Sequence, residues 1–247
     1  MRYAYGSRGF KKPVMKIFAI SDLHLSVNNP KPMDIFGPVW EGYLDKIFAE
    51  WREKVGEEDI VLLAGDFSWA MRLEDAISDF NLLKGLPGHK IIIRGNHDYW
   101  WKSISAVRAI LPYKMMAIQN DAIRLDGVVI CGTRGWQVLE NGATRTDEDK
   151  KIYDREVLRL EMTLSAGKKI MKEGDMLICM MHYPPMNFEK EDSEFSALIE
   201  KFGVKKVVYG HLHGYKNPLL QYEKNGVEYY LTSCDETKNQ LVLIAEV

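Results

Sequence analysis

Short apolar runs alternate with polar, turn-forming stretches along most of the chain. The runs cover residues 16–20, 60–64, 90–93, 175–181 and 204–209, are aliphatic or β-branched, and end at charged or turn residues, which predicts buried strands. Between the first two, residues 39–55 place Trp40, Leu44, Ile47, Phe48 and Trp51 at helical spacing, a stripe that faces a core. Further helices are expected over 73–84 and over 102–110, ahead of Pro112. Strands alternating with helices imply parallel pairing through βαβ units. The pattern then changes. Asp126-Gly127 and Asn225-Gly226 each sit between strand-like runs and predict hairpins, and residues 240–247 read as a closing strand. A long charged helix is expected over 147–172, with Thr146 as its N-cap and Asp149 three residues on. The chain therefore reads as parallel-rich at the front and hairpin-rich at the back. With no repeat or linker, it reads as one domain from residue 15 containing two sheets, preceded by a flexible basic extension over residues 1–14.

The polar residues carry more information at the strand ends than elsewhere. "SDLHLS" follows the first run, with Asp22 and His24; "GDF" ends the second, with Asp66; "RGNHDYW" follows the third, with Asn96, His97 and Asp98. "HYPP" ends the fourth, with His182, and "GHLHG" ends the fifth, with His211 and His213. Five of the six histidines thus stand just past a strand's C-terminal end, the edge at which open α/β sheets bind ligands. Any one of these pieces alone is ordinarily a turn. Crowded together, they would leave polar groups unpaired unless something filled the space between them, and metal ions would do so.

Composition narrows the function. A net charge of −2 over 247 residues supplies no basic field for bulk nucleic-acid binding, and no apolar run approaches the length of a membrane span. The N-terminal stretch lacks the apolar core of a secretory signal. Cys131, Cys179 and Cys234 show no pairing or metal-binding pattern, so free thiols in a reducing cytoplasm are expected.

The ordered set Asp-x-His, Gly-Asp, Gly-Asn-His-Asp, His and Gly-His-x-His, running from Ser21 to Gly214, resembles the calcineurin-like metallophosphoesterase superfamily. "DLHLS", "KPMDIFGPVW" and "GTRGW" also look like a bacterial branch of predicted phosphohydrolases. The resemblance implies a four-layer α/β/β/α sandwich with two mixed sheets. Two departures narrow the branch. "GDFSWA" lacks the Asp-Arg-Gly continuation of the serine/threonine protein phosphatases, and "GNHD" stands where those enzymes have Gly-Asn-His-Glu. The histidine in the third motif also separates the chain from the lipid A pathway pyrophosphate hydrolases, which carry arginine there.

Carried over position by position, the resemblance implies one divalent ion held by Asp22, His24, Asp66 and His213. It implies a second held by Asp66, Asn96, His182 and His211, with Asp66 bridging. Mixed imidazole and oxygen ligands suit Mn²⁺, Fe or Zn²⁺. The implied reaction is hydrolysis of a phosphodiester or phosphomonoester by in-line attack of a metal-bridging hydroxide, with the diester slightly favoured and a nucleotide as one candidate. His97 would hydrogen-bond the phosphate or protonate the leaving oxygen. Asp98 would orient it or a neighbouring ligand, or else cap a surface turn. Arg134 could contact the phosphate or form a structural salt bridge, and Trp136 could line the substrate mouth or fill the core. A repair-type nuclease would need a basic track that is missing. The other alternative is a non-catalytic scaffold of the same fold that binds a protein partner.

Overall fold

The computed structural model describes residues 14–216 and 218–247, so nearly all of the expected N-terminal extension lies outside the described residues. In chain order the elements are β1 (Lys16–Ile20), α1 (Tyr43–Lys54), β2 (Ile60–Leu63), α2 (Leu73–Leu83), β3 (His89–Ile92), α3 (Ile104–Ile110), β4 (Met115–Ala117), β5 (Ala122–Leu125) and β6 (Val128–Thr133). They continue with α4 (Asp147–Ile170), β7 (Met176–Met181), α5 (Glu194–Lys201), β8 (Lys206–Tyr209), β9 (Gln221–Lys224), β10 (Val227–Leu231) and β11 (Val242–Glu246).

Two mixed sheets result, ordered β11-β1-β2-β3-β4 and β5-β6-β7-β8-β10-β9. In the first, β1 to β4 run parallel and β11 closes one edge antiparallel. In the second, β6, β7, β8 and β10 run parallel, so the two hairpins supply only the edge strands β5 and β9. This corrects the expectation of a hairpin-rich back half. Local turn chemistry reveals a hairpin, whereas the parallel pairing of β10 with β8 across an intervening strand leaves no local mark.

Alternate faces of the strands explain the layers. Ile17, Ile91, Ile130 and Ile178 meet between the sheets, while Phe18, Val61 and Ile92 turn outward under α1 and α2. Val129, Leu177 and Val207 turn outward on the other sheet, under α4 and α5. The architecture is the expected α/β/β/α sandwich. The amphipathic stretch at 39–55 is not one helix. Trp40 ends a short 3-10 turn, Pro38–Trp40, and Gly42 at φ 57° separates it from α1. Because the parallel strands are in register, their C-terminal ends line one edge. The sheets are joined there by Ser21 N–H donating to the Thr232 carbonyl (2.8 Å) and Cys234 N–H donating to the Ser21 carbonyl (3.1 Å).

Candidate metal centre

The strand-end residues leave their strands through an unusual backbone. Asp22 (φ 60°), His24 (47°), Asp66 (49°) and His211 (71°) all lie in the left-handed region, which turns their side chains back over the sheet edge. Glycines leave the room this needs. A Cβ on Gly65 would stand 2.6 Å from His182 Nδ1. Cβ atoms on Gly95 and Gly210 would run into the Asp66 and Asp22 carboxylates.

Asp22, Asp66, His182 and His213 are each anchored by hydrogen bonds. Asp22 accepts from the His211 N–H (3.1 Å) and the Ser21 hydroxyl (2.7 Å), and Asp66 Oδ1 accepts from the His97 N–H (2.7 Å). His182 Nδ1 donates to the Ala64 carbonyl (3.0 Å), which sets the tautomer and turns Nε2 toward Asn96 Oδ1 (2.7 Å) and Asp66 Oδ2 (3.4 Å). His213 Nδ1 is held by Asp235 Oδ1 at 2.8 Å, and its Nε2 lies 3.3 Å from Asp22 Oδ1. Asp22, His24 and His213 form one compact group, and Asp22, Asp66 and His182 a second, with ligand atoms within 4.8 Å of one another in each.

Electrostatics follow from this crowding. Burial would raise the pKa of Asp22 and Asp66, but His213 beside the first and His182 beside the second hold both below the ordinary carboxylate range. Burial works against charge on His182 and His213 too, yet the carboxylates prevail and lift them to about 9 and about 11. Burial pushes His24 and His211 down to about 4. Two buried carboxylates thus demand positive charge at the place where imidazole nitrogens converge.

A calcineurin-like phosphoesterase family model matches residues 15–215. The chain belongs to the calcineurin-like phosphoesterases. Among solved structures, TT1561 of Thermus thermophilus shares the fold at 13% identity and a TM-score of 0.55, covering 93% of this chain and 98% of its own. A protein of unknown function from Aquifex aeolicus, AQ665, matches at 14% identity and a TM-score of 0.48, covering 93% of this chain and 95% of its own. No curated protein matches the sequence.

Membership of this phosphoesterase family implies metal-dependent phosphoester hydrolysis, and the residues present fit divalent ions. His24 Nδ1 is buried without a hydrogen-bond partner, and His213 Nε2 meets only the Asp22 carboxylate, 3.3 Å away. Such an arrangement suits a cation. Neither compact group includes the His211 side chain. Its ring packs 4.0 Å from Tyr183 and 5.1 Å from His182, and it meets Asp22 through its backbone. Asp22, rather than Asp66, belongs to both groups.

The remaining expected residues have definite surroundings. Asp98 is fully buried and caps no surface turn. It accepts from the N–H groups of Phe67, Ser68 and Gly95 and from the Trp100 indole, tying the second motif to the third without hydrogen-bonding the His97 ring. Burial raises its pKa to about 7. Arg134 reaches Glu156 Oε1 at 3.2 Å and lies over Trp136 at 4.8 Å, and Trp136 packs on Tyr183. Trp100 and Trp101 are core residues, whereas Trp69 stacks on His24 at 4.7 Å. Sequence reasoning missed Asp235, which orients His213. It stands just past β10, so the strand-end rule that found the other site residues would have found it too. The three cysteines are free and buried, and among the described residues no helix is long and apolar enough to cross a membrane.

Proposed function

We propose that this phosphoesterase is a dinuclear enzyme that hydrolyses a small phosphodiester, with a nucleotide-like ester as the natural class, in a cytoplasmic setting. One ion would be held by Asp22, His24, His213 and Asp66, the other by Asp66, Asn96, His182 and His211. Their imidazole content favours Mn²⁺, Fe or Zn²⁺. When bound, such ions acidify a water and neutralise charge on the phosphoryl oxygens. The protein's own contribution centres on His97. Its backbone N–H binds Asp66, its ring rests 4.6 Å from Trp69, and its Nδ1 is buried without a partner. It stands ready to hydrogen-bond a phosphoryl oxygen or to protonate the leaving oxygen.

The observation that carries the diester reading is a pair of separate pockets, each walled by different strand-end histidines. His24, His97 and His213 line one of about 360 Å³ with Trp40 and Trp69. His211 lines a second of about 310 Å³ with Tyr183, Phe188 and Tyr215. A phosphate seated between them has room for an apolar or aromatic substituent on each side, and a monoester would use only one.

The test starts from metal-free protein, with Mn²⁺, Fe²⁺, Zn²⁺ or Mg²⁺ added in turn. Bis(p-nitrophenyl) phosphate should be turned over faster than p-nitrophenyl phosphate, and Asp66→Asn should abolish both activities. His97→Ala should keep its metal content while kcat falls by roughly 10²–10⁴-fold. No turnover with any metal, despite stoichiometric binding, would overturn the catalytic reading in favour of a scaffold. Faster monoester turnover would overturn the diester reading alone.

A further inference from the structure

A second polar cavity lies beside the metal centre, between the ends of β3 and β6 and under α4. Arg94, Arg134, Arg159 and Glu156 line it over an apolar floor of Ile93 and Ile118, and no residue of the two metal-type groups contributes to it. Glu156 is fully buried and already engaged. Its Oε1 accepts from Arg134 Nη2 (3.2 Å) and Arg159 Nη1 (2.7 Å), and its Oε2 accepts from the Thr133 hydroxyl (3.0 Å). Arg94 is left over. Among the described residues no carboxylate stands within salt-bridge distance of it, and its Nε and that of Arg134 are both buried without partners. The nearby Asp98 is not available, because its oxygens accept three backbone N–H groups and the Trp100 indole.

Three guanidiniums thus face one carboxylate in a confined space, with buried donors unsatisfied. Burial first, and repulsion from Arg134 next, work against the charge on Arg94, so an arrangement lacking an anion is costly. The cavity measures about 50 Å³, room for a small ion, whereas ligand pockets for whole nucleotides start at roughly 300 Å³. Guanidinium forks match the oxygens of tetrahedral oxyanions. We propose that the Arg94–Arg134–Arg159 cavity is a binding site for a small tetrahedral oxyanion, inorganic phosphate or sulfate, separate from the metal centre. The site depends on no metal and does not rest on the proposed catalytic activity.

The experiment is calorimetric titration of chelator-treated, metal-free protein with inorganic phosphate, repeated with sulfate. One phosphate should bind per chain, sulfate should compete, and added salt should weaken both. Arg94→Met should weaken binding at least tenfold, as should Arg159→Met, whose side chain is 35% exposed and which decides the matter should Arg94→Met fail to fold. Absence of binding to the wild-type chain would overturn the proposal. Binding undiminished in folded variants would overturn it too, by locating the anion elsewhere.

Discussion

Asp22, His24, Asp66 and His211 hold backbone conformations that cost non-glycine residues about 1–3 kcal/mol each, and they hold them at the end of well-ordered strands. A side chain leaving a strand in ordinary extended geometry would point along the sheet face. The left-handed turn instead sends it over the edge, where Asp22 meets His24 on one side and Asp66 on the other. Gly95 belongs to the same device by having no side chain, since a Cβ there would overlap the Asp66 carboxylate and its N–H. Gly95→Ala should therefore cost stability by about 1–3 kcal/mol in denaturant unfolding and lower the bound metal per chain. Unchanged stability and metal content would show that the Asp66 turn can yield. These residue types were legible in the sequence because their motifs are local. Their division between the two compact groups was not, because it depends on distances among five strand ends.

At the scale of elements, helix signals were readable where capping chemistry is local and unreliable where a stripe spans a break. The Thr146 hydroxyl accepts from the Asp149 N–H at 3.1 Å, starting α4 at the predicted residue. Thr146→Ala should lower stability by about 1 kcal/mol with kcat unchanged, read from denaturant midpoints beside a turnover assay. A comparable loss of kcat would mean that the helix start acts on the site. The 39–55 stripe misled because Trp40 and the α1 residues share one core while belonging to two elements. The short strand β4 and the helix α5 carry too few periodic residues to announce themselves, though Ser193 and Ser196 form a capping box at the start of α5.

At the scale of the whole molecule, burial decides which charges the fold tolerates. Lys90 lies in β3 with only 2% of its surface exposed, donating to the Leu86 carbonyl, and burial pulls its pKa from 10.5 to about 8 against the attraction of Glu57. Between those two values the unfolded chain binds a proton that the native state does not. Its contribution is therefore fully present above 10.5 and is lost as pH falls through 8. Lys90→Met should be more stable than the wild type at pH 7, with the advantage shrinking as pH rises from 8 toward 10. Parallel denaturant titrations across that range check the sign, and an advantage independent of pH would show that the amine is not desolvated.

By itself the sequence determined the strand-and-helix alternation, the two hairpin turns, the cap of α4 and the residue types gathered at one sheet edge. Each of those is written in a few adjacent residues whose backbone preferences and polarity act locally. Only the tertiary structure decided the parallel pairing of β10 with β8, the fixing of His213 by Asp235, the occupation of Arg134 by Glu156 and the unpaired charge of Arg94. Those depend on groups distant in sequence that burial brings together, and their energies exist only once water has been excluded from between them.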